Sequence, residues 1–443
     1  MPGGSGDSDR RTARRAGMIQ RFLTSAMAAF LAACSPAPSA SPPPASSVTP
    51  SAAATAEPTA TGPADTAIPT STPYVPPPTT FPADLKYAGS LAVLPATPAP
   101  GFEADIECSR SIGKTDPVAI VTLEGRPEQA VLRDYADVSD PRTVCTFGDI
   151  RVVQLIDARH IVIADRESPD LFAVVDLPDV QYRWFKLPTS KGSWGTDLIT
   201  VGPALDRVIW KAVHVKNTDT DVVYMSTEAR TVELATLPDS NSGRCGSPTD
   251  SSWGAYTTSG SHLYVLNQPI LPNHSLLVIK GRETLLSVIP PHVEWADGNA
   301  PVMAVWSPVS PTLYWSQGGD VFRWTPDGGR QKFIAGVSWS GATISADGRY
   351  LAYSVPRADG KEVVYLVDLT GDDVPHRIGD GARGEPRFLN ATQLWWRVQS
   401  TGRGCTGPLP GPAVYNVANG SEDGSIIDQI QGTWPATSAK QWS

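Results

Sequence analysis

The sequence predicts an all-β protein, on three observations. Short strand-like runs bounded by Gly, Pro, Asp and Asn fill the stretch from Val118 to Ile430. In this stretch no amphipathic helical pattern exceeds two turns. A first-strand pattern recurs about every 47 residues, and four strand-like runs fill each interval. Units of this length, each packing against its neighbours, are typical of a β-propeller of four-stranded antiparallel blades. We predict seven blades, with six as the alternative.

The first element along the chain is a short apolar run, Phe22 to Ala33, that ends in Leu31-Ala32-Ala33-Cys34. Its twelve residues are too few to span a bilayer, which takes about 20. The preceding segment is positively charged, as secretory signals are. It contains Arg10, Arg11, Arg14, Arg15 and Arg21.

Leu31, Ala32, Ala33 and Cys34 resemble the lipobox of bacterial lipoproteins. In such signals the small residues fit the signal peptidase, and the cysteine thiol is acylated with fatty acids such as palmitate. The resemblance implies a signal peptide over residues 1–34, lipidation of Cys34, the bilayer as a partner, and an extracytoplasmic, lipid-anchored domain. An ordinary signal cleaved at an Ala-x-Ala site is the alternative. Met1 and Met18 both stay open as the initiator.

The second element is a linker over residues 35–82, composed almost entirely of Pro, Ala, Ser and Thr. Because it has few large apolar residues to bury, it is predicted to be disordered. At about 3.1 Å per residue, such a chain could hold a domain up to ~150 Å from the membrane. The alternative is a ligand for a proline-binding module, a class that is rare outside cells.

The third element, residues 83–443, is the predicted propeller domain. The whole chain has a net charge of −9 and a pI of about 5.2, and this domain has no run of Lys or Arg. These features exclude nucleic acid as a partner.

Four cysteines remain besides Cys34: Cys108, Cys145, Cys245 and Cys405. An even number in an oxidising compartment predicts two disulfides, with three possible connectivities. Chain order favours Cys108 with Cys145 and Cys245 with Cys405. Four unpaired thiols are the alternative.

The clearest repeat unit runs from Ala342 to Ser354 and continues at Glu362 to Leu369. It predicts a strand, a turn at Asp347-Gly348, a second strand, a loop and a third strand, because Asp-Gly between apolar runs is a strong hairpin signal. The equivalent first-strand positions are Val153, Leu198, Ala255, Ala304, Ala342 and Phe388.

The run from Ser345 to Ser354, Ser-Ala-Asp-Gly-Arg-Tyr-Leu-Ala-Tyr-Ser, resembles the WD40-like repeat of TolB-type propellers. The match is partial at Trp306-Ser307-Pro308 and at Asn390 to Trp396. The resemblance implies the propeller fold. It does not imply the role of TolB itself, because only about 35 residues separate the linker from the first strand, too few for the α/β domain of that family.

A seventh blade is predicted from both ends of the domain. Val118 to Leu123 and Ala130 to Arg133 resemble the last two strands of a blade. The stretch from Thr433 onward would add a strand beside them, so that the ring closes by combining the two chain ends. Closure matters because an open ring would leave exposed strand edges.

Connections between blades and between second and third strands are predicted to share one rim of the central channel, where all four cysteines would lie. Trp194, Trp253 and Trp339 are predicted at the same rim, before or near first strands. Indole rings there could stack on a saccharide or a peptide. The alternative is that they pack blade against blade.

No catalytic motif is present: neither a Gly-x-Ser-x-Gly elbow nor a His-Glu-x-x-His pair occurs. We therefore assign no catalytic residue, metal ligand or cofactor. The favoured hypothesis is a non-catalytic lipoprotein propeller that binds an envelope protein or a saccharide. The alternative is an extracytoplasmic, carbohydrate-cleaving propeller enzyme whose carboxylates converge in the channel from separate blades.

Overall fold

The structure is a computed structural model. It describes residues 92–93, 106–109, 111–123, 126–148, 151–164, 171–177, 179–187, 195–213, 220–227, 229–238, 251–268, 275–288, 301–399, 411–426 and 428–435. The predicted signal peptide with Cys34 and the predicted linker lie outside these residues. So do Trp194, Cys245 and Cys405. Among the described residues there is no helix of the length and hydrophobicity needed to cross a membrane.

Thirty strands make up the described part of the chain. The first thirteen are β1 (Ala92–Val93), β2 (Ile106–Cys108), β3 (Val118–Leu123), β4 (Arg126–Asp134), β5 (Arg142–Phe147), β6 (Arg151–Asp157), β7 (His160–Ala164), β8 (Leu171–Asp176), β9 (Gln181–Lys186), β10 (Gly195–Val201), β11 (Val208–Val213), β12 (Thr220–Ser226) and β13 (Thr231–Pro238). The next eight are β14 (Ser251–Tyr256), β15 (Leu263–Gln268), β16 (Ser275–Lys280), β17 (Glu283–Val288), β18 (Pro301–Trp306), β19 (Leu313–Gln317), β20 (Asp320–Thr325) and β21 (Gly329–Ile334). The last nine are β22 (Gly341–Ile344), β23 (Tyr350–Pro356), β24 (Glu362–Asp368), β25 (His376–Ile378), β26 (Arg383–Phe388), β27 (Gln393–Val398), β28 (Gly411–Asn416), β29 (Glu422–Asp423) and β30 (Gln429–Thr433).

The strands form seven antiparallel sheets, which confirms the predicted seven-bladed propeller. Blades 2 to 7 are β6–β9, β10–β13, β14–β17, β18–β21, β22–β25 and β26–β29, each in simple meander order. The six predicted first-strand positions all fall in the first strands of these blades. Blade 1 contains β30, β3, β4 and β5 in that order.

Seven clusters of buried apolar side chains lie among the described residues, and each spans two neighbouring blades. One packs blade 1 on blade 2 and another packs blade 7 on blade 1. Every blade therefore buries both faces against its neighbours, as the repeat period predicts. Burial of this apolar area is the main force that holds the ring together.

The ring closes between the two chain ends as predicted, but the strands that form blade 1 differ from the predicted ones. The closing strand β30 ends at Thr433, rather than starting there, and pairs with β3. The segments around Val118 and Ala130 are the second and third strands of blade 1, not the last two, because Arg142–Phe147 forms an additional fourth strand. The pairing of β30 with β3 joins residues about 300 positions apart, which no local pattern specifies.

The Asp347-Gly348 turn forms as predicted. The Ser345 hydroxyl donates to the Asp347 carboxylate over 2.6 Å, and the Gly348 backbone N–H donates to the Ser345 carbonyl over 2.8 Å. Gly348 has φ of +73°, and a Cβ at this position would collide with Val309 of blade 5. Glycine is therefore needed both for the backbone conformation and for the contact between blades.

Two short N-terminal strands extend the outer edges of neighbouring blades. β1 pairs with β9, the outermost strand of blade 2, and β2 pairs with β5, the outermost strand of blade 1. Cys108 and Cys145 lie directly opposite each other in β2 and β5 and form a disulfide. This is the pair that chain order favours. It lies at the outer edge of a blade. The sequence prediction placed it at the rim of the channel because β2 and β5 were not recognised as strands.

Candidate functional site

An open, shallow pocket with a cavity volume of about 40 Å³ lies where the first strands of several blades end. Its lining includes Ile156, Val201, Tyr256 and Trp306, which lie at or next to the ends of β6, β10, β14 and β18. Trp434, which directly follows β30, completes the set. Since these are the innermost strands of five blades, the pocket is one mouth of the central channel.

We call the face with this pocket the lower face. It carries the connections between first and second strands and between third and fourth strands. The rim on which ligand binding was predicted carries the other connections and is the upper face. This pocket among the described residues therefore lies at the opposite end of the channel from the predicted site.

The lower mouth is lined by uncharged residues only. Three aromatic and three proline side chains contribute to it: Tyr256, Trp306, Trp434, Pro203, Pro308 and Pro435. Ligand pockets are typically apolar with a few oriented polar groups. The lower mouth has this composition.

Trp306 is fixed on every side and is only 1% exposed. Its indole N–H donates to the Ala255 carbonyl over 2.8 Å. Tyr264 and Trp324 pack against the ring, with centroids 5.8 and 6.3 Å away. Edge-to-face and tilted contacts of this kind stabilise aromatic clusters beyond their buried area. Trp306 therefore gives the pocket a rigid inner wall.

Tyr256 is the last residue of β14 in blade 4, and it lies beside Arg207 of the neighbouring blade 3. Burial raises the pKa of the Tyr256 phenol well above its ordinary value, and the Arg207 guanidinium offsets only part of this rise. Arg207 itself donates two hydrogen bonds to Asp206, of 2.8 and 2.6 Å. The phenol consequently stays neutral at physiological pH, and the pocket acquires no charge from it.

The loop after Tyr256 brings hydroxyl groups to the rim of the lower mouth. Thr258 donates to the Pro308 carbonyl over 2.7 Å, so that the lower loops of blades 4 and 5 are joined. Thr257 exchanges hydrogen bonds with Ser259 and Ser261 over 3.1 and 3.2 Å. These hydroxyls are already engaged within the protein.

His262 is the histidine nearest to this site in sequence, and it lies behind the pocket wall. It is 5% exposed, and its ring packs on Trp324 at 5.8 Å between centroids. Its Nδ1 lies 2.8 Å from the Ser261 hydroxyl oxygen. Burial lowers the pKa of His262, and Lys280 adds to this shift. The ring is therefore a neutral packing group with no access to a ligand in the pocket.

Among acidic residues of first strands, Asp157 ends β6 at the lower face, where it is 2% exposed and lies 2.8 Å from His160 Nδ1. Two others lie toward the upper half of the channel. Asp197 of blade 3 and Glu385 of blade 7 are both exposed, on blades that are not neighbours. Glu385 has a positive φ of 53° at a bulge in β26 and pairs with Arg397 at 3.3 Å. Within the described ranges, no group of three His, Cys, Asp or Glu side chains is arranged to hold a metal ion.

Of the three predicted rim tryptophans, only Trp339 has a described side chain. It is 3% exposed, lies in the cluster between blades 5 and 6, and donates its indole N–H to the Met303 carbonyl over 3.1 Å. In this structure it packs blade against blade, which was the alternative. Trp253 lies inside β14 rather than before it.

Sequence reasoning missed the lower mouth although part of it was visible. Trp306-Ser307-Pro308 was identified as a partial repeat motif, and Trp306 and Pro308 both line the pocket. The repeat signal placed these residues at the end of a first strand, where the lower mouth lies. No comparable signal marked Trp434 and Pro435.

No protein-family model matches the sequence, and no curated protein matches it. Solved structures that are similar include a prolyl endopeptidase, at 12% identity and a TM-score of 0.46, covering 72% of this chain and 51% of that chain. This chain thus spans about half the length of that peptidase. The TolB from Acinetobacter baumannii is 12% identical with a TM-score of 0.30, covering 64% of this chain and 67% of that chain. A putative TolB from Agrobacterium tumefaciens is also 12% identical, with a TM-score of 0.31 and coverage of 53% and 82%.

Proposed function

We propose that this chain is a lipid-anchored, extracytoplasmic binding module whose propeller takes an envelope ligand at its lower mouth without transforming it. The observation that carries the proposal is the uncharged lining of that mouth, with aromatic and proline side chains from several blades. A carbohydrate-cleaving enzyme needs two carboxyl groups beside the scissile bond. No carboxylate lines this pocket, so its composition favours binding.

The disulfide supports the proposed compartment independently of the lipobox. Cys108 and Cys145 are bonded with an S–S distance of 2.09 Å. Stable disulfides are typical of proteins in oxidising compartments and are rare in the cytosol. An envelope location brings the lower mouth near envelope proteins and saccharides, the two partner classes that the sequence favours.

The anchor is tested by Cys34→Ala. We expect the variant to move from the membrane fraction to the soluble fraction and to change its mobility on a gel, because two acyl chains hold a protein on a bilayer far more stably than one or none. Ser35→Ala is the matched control and should stay with the membrane. Unchanged fractionation and mobility of Cys34→Ala would show that Cys34 is not lipidated.

Binding at the lower mouth is tested by a charge placed on its rim. Val309, next to Pro308, is 63% exposed, so Val309→Asp should leave the fold intact. We expect this variant to lose most of the partner adducts that wild type forms on crosslinking in cells, since a carboxylate would have to be desolvated on binding.

Val374→Asp is the matched control. Val374 is 46% exposed and lies on the lower face, in the connection between the third and fourth strands of blade 6, away from the pocket lining. It should retain the wild-type adducts. Equal adduct yields from the two variants would refute the lower mouth as the binding site.

A further inference from the structure

Three features of the lower mouth together favour one class of ligand. This inference depends on the proposed binding function. The first feature is that most hydrogen-bonding groups of the mouth are already bonded to other groups of the protein. The Trp306 indole N–H is bonded to Ala255, and the Thr258 hydroxyl is bonded to Pro308. The Tyr256 hydroxyl faces the Arg207 guanidinium, which already donates two hydrogen bonds to Asp206. A saccharide, which requires many polar contacts, would find few groups free to receive it.

The second feature is rigidity. Proline fixes its own φ, and Pro203, Pro308 and Pro435 stand around the pocket. Trp306 is held by its hydrogen bond and by two aromatic neighbours. A surface that is ordered before binding loses little conformational entropy when a ligand arrives. A ligand that is itself stiff adds to this advantage.

The third feature is the apolar surface beside the opening. Val309 is the most exposed large apolar side chain among the described residues, and it directly follows Pro308 of the pocket lining. A ligand longer than the pocket would leave the mouth across Val309. A polypeptide segment has this extended form, whereas a compact small molecule does not.

These features match the known chemistry of proline-rich recognition. Extended proline-containing segments adopt the polyproline II helix without internal hydrogen bonds, and they bind to grooves lined by aromatic rings. Because the lower mouth has no charged lining residue, the complementary segment is uncharged. We propose that the lower mouth binds an uncharged, extended, proline-containing segment of a partner protein.

The test uses the full-length protein in detergent and a labelled peptide, Thr-Pro-Tyr-Val-Pro-Pro-Pro-Thr-Thr-Phe-Pro. This is the sequence of residues 72–82 of the chain, which is uncharged and rich in proline. Binding is measured by fluorescence anisotropy. We expect saturable binding, and at least about 10-fold weaker binding for a peptide in which every proline is replaced by alanine, a difference of about 1.4 kcal/mol.

The variants locate the binding site. Val309→Asp and Thr258→Arg should each weaken peptide binding at least about 10-fold, and Val374→Asp should stay within about twofold of wild type. Circular dichroism and the melting temperature verify that each variant is folded. Equal affinity for the proline and alanine peptides, or equal affinity of all three variants, would overturn the proposal.

Two other occupants are outcomes of the same experiment, and each would overturn the assignment to a partner's proline-containing segment. Displacement of the peptide by neutral oligosaccharides would show a saccharide site instead. Binding that appears only after Pro73, Pro76, Pro77 and Pro78 of the chain are changed to Ser would show that the chain's own segment fills the mouth. If the peptide fails to bind while the crosslinked adducts still depend on Val309, the ligand class is wrong and the binding function stands.

Discussion

Asp428→Ala is expected to lower the free energy of unfolding by about 3–5 kcal/mol, because it leaves the buried Tyr135 hydroxyl and the partly buried Arg133 guanidinium without their anion. Asp428 is 4% exposed. Its carboxylate accepts hydrogen bonds from the Arg133 guanidinium and the Tyr135 hydroxyl, both over 2.7 Å. These contacts join the segment just before β30 to the end of β4, and so they hold the ring closed.

The effect is larger than that of one hydrogen bond because two partners lose the same carboxylate. The main-chain carbonyl of Asp428 also accepts the Trp395 indole N–H of blade 7 over 2.9 Å, and the alanine variant keeps that bond. Tyr135 is completely buried, and burial together with the Asp428 charge raises the pKa of its phenol far above the ordinary value. The hydroxyl therefore stays protonated and needs an acceptor, which the alanine variant removes.

Equilibrium unfolding in urea measures the effect, and Asp423→Ala is the matched control. Asp423 is an exposed aspartate of β29 whose carboxylate accepts a hydrogen bond from the Ser425 backbone N–H over 2.8 Å. Its removal should cost less than about 1 kcal/mol. A loss below about 1 kcal/mol for Asp428→Ala as well would show that the closing strand is held by apolar packing alone.

Lys211→Met is expected to lower the free energy of unfolding by about 3–5 kcal/mol, because Asp221 would lose its cation in a site closed to water. The Lys211 ammonium and the Asp221 carboxylate are 3.1 Å apart, and both side chains are 0% exposed. The pair lies on β11 and β12 of blade 3. Removing one charge leaves the other desolvated.

The double variant Lys211→Met with Asp221→Leu distinguishes the loss of a charge partner from the loss of packing. We expect it to recover most of the stability that Lys211→Met loses, since apolar residues often replace a buried ion pair at little cost. Arg357→Met is the control. Arg357 and Asp359 are a half-exposed pair at 3.7 Å, and such pairs contribute at most about 1 kcal/mol. A double variant as unstable as the sum of its single variants would contradict this account.

Closure of the ring and formation of the lower mouth are physically linked. Trp434 and Pro435 follow β30 directly, and the Trp434 backbone N–H donates to the Val118 carbonyl over 2.8 Å. One wall of the pocket therefore exists only when β30 has paired with β3. A module of this kind presents its binding site only in the closed ring.

Most of the architecture was predictable because it depends on local signals. Alternation of apolar residues identifies strands, and the Asp347-Gly348 turn fixes a hairpin within a few residues. All six predicted first-strand positions, from Val153 to Phe388, lie in first strands of the structure. Short windows of sequence contain this information, since each blade is a meander of consecutive strands.

The sequence by itself determined the all-β class, the propeller architecture and the first strand of each of blades 2 to 7, and it left six blades open as an alternative to seven. Only the tertiary structure decided how the ring closes and where its pocket lies. Arg133 and Asp428 are 295 positions apart, and no local pattern links them. The lower mouth likewise combines the ends of five innermost strands, whose side chains meet only after all seven blades have packed against one another. Contacts between residues so far apart in the sequence depend on the packing of all the blades together, and no single motif specifies them.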